Sequence, residues 1–488
     1  MPTRGKSPGR REMGWNTSDR LDSCDSYEER SIPVSIRLTE RIIGHLWHLH
    51  DARHYLPVSN AANFTITDWA DHIRLAQDAQ VDAFALNIAA DDAINGHALQ
   101  LAFTAAQRAR FKVFFSFDYV ARGPWNQHDV IGLLLQYRTN EAYYRVNGHP
   151  FASTFEGSEN AEEWKSVKAS TDCFFIPDWS SLGVKAALEK GYGIVDGLFS
   201  WAAWPSGAED MNTQVDMSYL ELLQQGGLAY MMPVSPWFYT NLPGYGKNWL
   251  WRGDDLWYDR WQEVLSLRPE FVEIISWNDY GESHYIGPLH QGGYGVFKTG
   301  KAPFNYAEGM PHDGWRILLP FIVGDYKNGS AAVKEESLVT WYRTTPGAAC
   351  DAGGTSANTR SHGQVEFSPQ EVTKDRIYYS ALLTEYAVAE VTIGGVTQTG
   401  TWGSEPSSGK GIYHGSAPFN GATGDVEVTL SRRDNKVLTL RGKAISGDCP
   451  NNIQNWNAWV GSGRVRCRSS TISREIYLPS NPAAVSEV

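Results

Sequence analysis

One repeated pattern limits the folds that this chain can adopt. From about residue 50 to residue 280, short apolar runs are followed by amphipathic stretches such as Asp68–Asp78 and Asn95–Ala109. Apolar runs without polar alternation are typical of parallel strands that are buried on both faces. The runs are Val81–Ile88, Phe111–Asp118, His149–Phe155, Asp172–Asp178, Val195–Trp201, Leu228–Ser235 and Phe271–Trp277.

Strands that alternate with helices predict an α/β protein with a parallel sheet. We expect one more strand near His48–Leu56, which completes a TIM-type (β/α)8 barrel. The amphipathic stretch Met310–Asn328 predicts a further helix that seals the barrel. The expected organisation is an atypical, partly disordered N-terminal segment at 1–50 and a catalytic barrel at 51–330.

The sequence pattern changes after about residue 334. Short alternating runs, separated by Gly, Ser and Asn clusters, replace the continuous ones, and they predict a C-terminal antiparallel β-sandwich domain at 331–488. The Gly- and Ser-rich stretch Thr401–Gly415 is predicted to be a loop. The alternating runs are Ser337–Tyr342, Ala387–Ile393, Asp425–Ser431 and Lys436–Arg441.

The charge balance excludes some classes of partner. The chain has 43 Lys and Arg against 55 Asp and Glu, a formal charge of −12. Nucleic acids and anionic membranes reward a basic surface, so neither is expected as a partner. No apolar run is long enough for a membrane span.

The five cysteines allow a limited prediction about disulfides. Cys350, Cys449 and Cys467 lie in the last 139 residues, where a disulfide is expected if the protein is exported. Cys173 opens an apolar run and is predicted to be a buried thiol.

The ends of the predicted strands carry carboxylates and tryptophans. Catalytic groups of a (β/α)8 barrel come from the C-terminal strand ends. Indole rings stack on sugar rings, and paired carboxylates provide acid and base for glycosidic cleavage. The candidates are Asn87, Asp118, Glu156, Asp178, Trp179, Trp201, Trp204, Trp237, Asp279, Tyr280, Glu282 and His284.

Asp279 and Glu282 are the most specific pair among them. They are three residues apart in a turn that contains Gly281, so both can face one cleft with different pKa values. Structural explanations remain open for other candidates. Asp178 could cap a helix, and Trp201 and Trp204 could belong to the core.

Two other classes of protein fit the sequence less well. His48 and His50 have the His-x-His form of metal-dependent barrel hydrolases, but the fifth and sixth strand ends carry Asp178-Trp179 and Trp201 instead of histidines. A non-catalytic sugar-binding protein would keep the tryptophans without needing three carboxylates. No motif indicates a metal or an organic cofactor, so none is expected.

Several motifs are specific enough to compare with a known family. The longest are Ser276–Pro288 (SWNDYGESHYIGP) and Met310–Trp315 (MPHDGW). Together with four shorter motifs, they resemble the fungal α-1,3-glucanases (mutanases) of glycoside hydrolase family 71. The resemblance runs from about His54 to the end, whereas Met1–Arg53 looks unlike the family and shows no signal peptide. The shorter motifs are Asp82–Ile88, Phe115–Asp118, Phe199–Pro205 and Ser235–Phe238.

The resemblance implies a function and a set of site residues. Members are secreted or wall-associated enzymes that cleave α-1,3-glucan internally, with inversion, using a barrel followed by a β-sandwich. Their essential carboxylates match Asp118, Asp279 and Glu282. We expect a monomer whose partner is the α-1,3-glucan polysaccharide.

The position of each carboxylate in the turn suggests its role. Glu282, further out, is expected to be the general acid, Asp279 the base, and Asp118 a supporting group. Inversion calls for a carboxyl separation of roughly 6.5–9.5 Å. The residues expected to line the sugar subsites are Asn87, Trp179, Trp201, Trp204, Trp237, Tyr280 and His284.

Overall fold

The computed structural model describes residues 51–360 and 363–465, with side chains from Tyr55 onward. These residues lie within one compact unit. The N-terminal segment predicted at 1–50 lies outside the described residues, as do His48 and His50 of the metal hypothesis. Cys24 and Cys467 lie outside them too.

The strands and helices follow one another in this order. The strands up to residue 275 are β1 (Asp51–Pro57), β2 (Ala83–Ala89), β3 (Lys112–Asp118), β4 (Arg145–Val146), β5 (His149–Phe155), β6 (Phe174–Asp178), β7 (Gly197–Phe199), β8 (Ala229–Val234), β9 (Tyr239–Leu242), β10 (Lys247–Leu250) and β11 (Phe271–Ile275). The later strands are β12 (Ser337–Tyr342), β13 (Ser356–Ala357), β14 (Arg376–Leu383), β15 (Val388–Ile393), β16 (Val396–Thr399), β17 (Thr401–Ser404), β18 (Gly411–Pro418), β19 (Gly424–Arg432), β20 (Asn435–Ile445) and β21 (Trp459–Arg464). The helices are α1 (Ile66–Asp78), α2 (Asn95–Ala109), α3 (Gln127–Tyr137), α4 (Glu163–Thr171), α5 (Val184–Lys190), α6 (Gln214–Gly226), α7 (Leu256–Leu267), α8 (Gly295–Thr299), α9 (Leu319–Asn328) and α10 (Pro369–Val372).

Eight parallel strands close into a barrel, which confirms the predicted fold. Their spatial order is β3-β2-β1-β11-β8-β7-β6-β5, and β5 pairs back onto β3. The first strand, which was predicted because seven other strands required an eighth to close the barrel, is β1, between β2 and β11. Helices cover the outside, and α1 begins with a capping box in which Thr65 Oγ1 accepts from the Asp68 N–H over 3.2 Å.

The predicted helix at Met310–Asn328 is observed in part. A 3₁₀ helix covers Asp313–Leu318 and continues as α9, which has Pro320 in its first turn. Proline lacks an N–H and is tolerated only at such a position, so the chain changes helix type there.

Two antiparallel sheets follow the barrel, as predicted. One has the order β17-β18-β14-β12-β21 and the other β16-β15-β19-β20. The prediction of a loop at Thr401–Gly415 holds only for residues 405–410, because β17 and β18 pair on either side of them. A Cβ on Gly415 would lie 1.9 Å from the carbonyl oxygen of Thr401, so this glycine allows two strands to approach closely.

A smaller sheet stands above the C-terminal ends of the barrel strands. The hairpin β9–β10 follows β8, and β13 joins β10 in parallel. The predicted C-terminal disulfide is present between Cys350 and Cys449, and Cys173 is the predicted buried thiol. Each helix of the described chain is too short or too polar to cross a membrane.

Candidate active site

The turn after β11 holds Asp279 and Glu282 together. The Glu282 N–H donates to Asp279 Oδ1 over 3.1 Å, and the Asp279 N–H donates to Ser276 Oγ over 3.0 Å. Both carboxylates are partly exposed, with 19% of the Glu282 side chain accessible. These backbone contacts fix the carboxylates relative to each other.

Each carboxylate oxygen of Glu282 has its own partner. Lys247 Nζ lies 2.6 Å from Oε1, and His284 Nε2 lies 3.0 Å from Oε2. Because an ionised carboxylate only accepts, Nε2 is the donor. The other ring nitrogen of His284 lies 2.8 Å from Ser276 Oγ, which fixes the orientation of the imidazole.

These contacts move the two pKa values in opposite directions. Burial raises the pKa of Glu282, but Lys247 and His284 outweigh burial and hold this pKa well below its usual range. Burial, followed by the negative charge of Glu282, raises the pKa of Asp279. Asp279 therefore keeps its proton at a pH where Glu282 is ionised. This favours the reverse of the acid and base roles expected from the sequence.

Asp118 lies at the end of β3, close to the same centre. Its Oδ1 accepts 2.8 Å hydrogen bonds from the N–H groups of Val120 and Ala121. Burial raises the pKa of Asp118, although both hydrogen bonds and Lys247 act against it. The attraction of Glu282, with smaller contributions from Asp279 and Asp118, raises the pKa of Lys247. The charges of all three predicted carboxylates thus act on one ammonium group, and Glu282 contacts it directly.

Lys247 and Tyr55 are site residues that the sequence reasoning missed. Burial and then the charges of Asp118, Asp279 and Glu282 raise the pKa of Tyr55 well above its ordinary value, so its hydroxyl stays neutral. Tyr55 directly follows His54, within the family resemblance, which was an available signal. Lys247 lies on the hairpin β9–β10, so the rule that catalytic groups follow the barrel strands does not predict it.

Two of the predicted tryptophans stand beside this centre. Trp201 is half-buried, and its ring centroid lies 5.1 Å from that of Tyr55. The Trp204 ring lies 5.8 Å from His284 and stacks on Trp251 at 5.0 Å. Trp251 was also missed, although the alternation in Trp249-Leu250-Trp251 indicates that two indoles share one face of a strand.

Asn87 is placed at the C-terminal end of β2, in register with Pro57 and Ser116 of the adjacent strands. It is largely buried. Its Nδ2 has no hydrogen-bond partner among the described protein atoms. This nitrogen is itself buried, so the donor of Asn87 is not exposed to a ligand.

Trp179 does not line the cleft, contrary to the prediction. It is fully buried, and its ring packs against Phe175 at 6.0 Å. Phe175 in turn stacks on Trp164 of α4 at 3.6 Å. Trp179 comes directly after β6, four residues beyond Phe175, and its ring packs in the helix layer with that of Phe175. The neighbouring Asp178 is also fully buried, and its Oδ1 accepts from the N–H of Ser180 over 3.0 Å.

Trp237 and Tyr280 are also core residues rather than subsite walls. Trp237 is buried and donates from Nε1 to the Trp456 carbonyl over 3.0 Å. Its own carbonyl accepts from Nε1 of Trp204 at 3.0 Å, so Trp237 supports a site residue indirectly. Tyr280 is fully buried and donates to the Pro288 carbonyl over 2.9 Å.

The site is more compact than expected. One ligand atom from each of Asp279, Glu282 and His284 lies within 4.8 Å of the other two. This donor set could also suit a divalent cation, but the Lys247 ammonium already occupies one oxygen of Glu282. The oxygen separation is shorter than the carboxyl distance of roughly 6.5–9.5 Å expected for an inverting pair.

Comparison with known proteins identifies the family. Residues 52–472 match the model of glycosyl hydrolase family 71. The chain is 33% identical to a glucan endo-1,3-alpha-glucosidase of Schizosaccharomyces pombe, over 83% of this chain and 92% of that protein. It is 34% identical to a mutanase of Penicillium rubens, over 68% and 72%. A solved GH99 endo-alpha-mannosidase from Bacteroides thetaiotaomicron has a TM-score of 0.41 and 15% identity, over 55% and 80%. The chain is therefore a glycoside hydrolase and belongs to glycosyl hydrolase family 71.

Proposed function

We propose that this protein is an endo-acting hydrolase that cleaves the α-1,3-glucosidic bonds of fungal cell-wall α-1,3-glucan. The observation that carries the proposal is the pair Asp279 and Glu282, whose pKa values diverge within one turn beside Trp201. Two relatives that are 33% and 34% identical over the aligned residues are named a glucan endo-1,3-alpha-glucosidase and a mutanase. We further propose that the protein is a monomer that is exported or bound to the cell wall.

The environments assign a role to each carboxylate. Asp279, with its raised pKa, gives its proton to the leaving glycosidic oxygen as the bond to the anomeric carbon breaks. Glu282, held ionised by Lys247, takes a proton from the water whose oxygen attacks that carbon. Asp118, which lies near the same centre, supports the pair electrostatically or holds the water.

The stereochemical proposal is inversion. In an inverting pair the water usually lies between two carboxyl groups roughly 6.5–9.5 Å apart. Asp279 and Glu282 have oxygens within 4.8 Å, which is closer than this range, so the proposal of inversion rests on the family resemblance and not on this distance. Proton NMR of the first product tests this proposal. Inversion releases the β-anomer from an α-linked glucan, and initial release of the α-anomer would show retention.

The substrate proposal rests on aromatic stacking. Trp201 and Trp204 present indole rings to the region around His284 and Tyr55, where sugar rings would stack. A polymer with many equivalent bonds suits a site that is partly open to solvent.

Reducing-sugar release from three polysaccharides tests the function. Alkali-soluble α-1,3-glucan is compared with β-1,3-glucan and starch, with Asp279→Asn as the inactive control. Release from α-1,3-glucan alone, lost in the control, supports the proposal. Release from another polymer, or from none, would overturn it. Oligosaccharides as early products would distinguish internal cleavage from glucose release at chain ends.

A further inference from the structure

Lys247 reaches the catalytic turn from a sheet that the C-terminal half of the chain completes. The hairpin β9–β10 carries it, and β13 is the third strand of that sheet. Trp249 pairs with Ser356, and Leu250 pairs with Ala357. The segment Cys350–Ala357, which comes after the barrel in the sequence, thus lies against β10, the strand that holds Lys247.

Asn248 is the main side-chain link between this strand and the segment. Its Nδ2 donates to the Gly353 carbonyl over 2.9 Å, and the Thr355 hydroxyl donates to its Oδ1 over 2.7 Å. Neighbouring side chains of a strand point to opposite faces, so Asn248 and Lys247 leave the strand in opposite directions. Holding the amide of Asn248 therefore fixes the direction in which Lys247 points.

The segment is itself anchored to the C-terminal half. The disulfide Cys350–Cys449 starts it. The Asp351 N–H then donates to the Asn452 carbonyl over 3.1 Å, and the Asp351 carbonyl accepts from the Gln454 N–H over 2.8 Å. Gly353 has a φ of +64°, and a Cβ there would lie 2.5 Å from Ile453. The segment is thus held tightly between the hairpin and residues 449–454.

The ion pair between Lys247 and Glu282 needs neighbouring contacts that hold the lysine in place. The Lys247 side chain is 41% exposed, and an exposed lysine loses considerable rotamer freedom when it is held in one geometry. We propose that the segment Cys350–Ala357 is a positioning element of the active site, which acts through Asn248 to keep Lys247 on Glu282. The effect on catalysis rests on the proposed function, whereas the effect on Lys247 does not.

Lysine labelling tests the contact without measuring activity. The full-length protein is treated briefly with acetic anhydride, and mass spectrometry gives the labelling rate of each lysine. Asn248→Ala and Thr355→Val should speed labelling of Lys247 by about two- to fivefold, as expected when an exposed ion pair is lost. Thr355→Ser, which keeps the hydroxyl, should restore the slow rate. Thr392→Val, which removes a hydroxyl contact with Thr397 in another sheet, is the matched control.

Kinetics with the same variants test the consequence. Asn248→Ala should lower kcat by about ten- to a hundredfold, as misplaced catalytic groups do, with KM nearly unchanged and the acidic limb of the pH profile moved to higher pH. Unchanged labelling of Lys247 in both variants would overturn the proposal. A fall in kcat without a shift of the acidic limb would also contradict it. Wild-type protein inactive on α-1,3-glucan would overturn the proposed function and leave the labelling result valid.

Discussion

The Glu282 N–H donates to Oδ1 of Asp279 over 3.1 Å, so one carboxylate is held by the backbone of the residue that carries the other. A change in the backbone of this turn would therefore move both groups together. Their protonation states are linked, because Lys247 and His284 keep Glu282 ionised and the charge of Glu282 helps to raise the pKa of Asp279.

The first prediction concerns pH. Activity requires ionised Glu282 and protonated Asp279, so it should rise as pH increases through the lowered pKa of Glu282 and fall as pH passes the raised pKa of Asp279. Lys247→Met removes the cation that lowers the pKa of Glu282, so the acidic limb should move to higher pH. The kcat/KM profile on soluble α-1,3-oligosaccharides measures this, and Lys247→Arg is the charge-preserving control. An unmoved acidic limb in Lys247→Met would contradict the assignment of Glu282 as the base.

The second prediction concerns Trp201, which lies beside Tyr55 with its indole partly exposed. Trp201→Ala should weaken binding to insoluble α-1,3-glucan by about 1–2 kcal/mol, the order of one aromatic contact, with a smaller effect on thermal stability. Pull-down with the polysaccharide and a melting curve measure the two effects. Normal binding by a strongly destabilised variant would place Trp201 in the core.

The third prediction uses Trp179 as the contrasting tryptophan. This side chain is fully buried against Phe175, so Trp179→Ala should cost about 3–5 kcal/mol of unfolding free energy. The fraction that remains folded should bind glucan normally. Urea unfolding and the same pull-down measure these quantities. A stable variant with lost binding would mean that Trp179 contacts the sugar after all.

The fourth prediction concerns a buried ion pair beneath the loop that carries Trp201. Arg260 donates to both oxygens of Asp216, at 2.6 and 2.7 Å, and to the carbonyl of Ala202 at 3.2 Å. Asp216→Ala leaves Glu263, 2.8 Å away, as the remaining carboxylate partner of the guanidinium and should cost up to about 3–5 kcal/mol of unfolding free energy. The double variant Asp216→Leu with Arg260→Met should cost less than the single one. Equal losses would show that the penalty does not come from an uncompensated charge.

Local patterns in the sequence were sufficient to predict the barrel and some of the residues of the candidate site. Continuous apolar runs predicted strands such as His149–Phe155, and the strand-end rule located Asp118 and Asp279. The strand-end rule does not predict whether a side chain faces the cleft or the surrounding helix layer. Trp179, directly after the end of β6, packs against Phe175 in the helix layer instead of entering the cleft.

The missed residues depend on contacts that are distant in sequence. Lys247 belongs to a hairpin and meets Glu282 35 residues further along the chain, so no local pattern links them. Because the contact of Lys247 with Glu282 is not visible in the sequence, only position in the turn indicated which carboxylate is the acid. That position suggested the reverse of the proposed roles, with Glu282 as acid and Asp279 as base. The glycines of Thr401–Gly415 were similarly ambiguous, because glycine is common both in loops and where strands approach closely.

The most direct test of the account is the rate of α-1,3-glucan hydrolysis by Asp279→Asn and by Glu282→Gln, each compared with the wild-type protein. Circular dichroism and melting curves show whether each variant folds normally. The account predicts that each variant loses at least roughly a hundredfold in rate, because general acid and base groups contribute about 10²–10⁴-fold each. Near-wild-type hydrolysis by either folded variant would contradict the assignment of this pair as the catalytic acid and base.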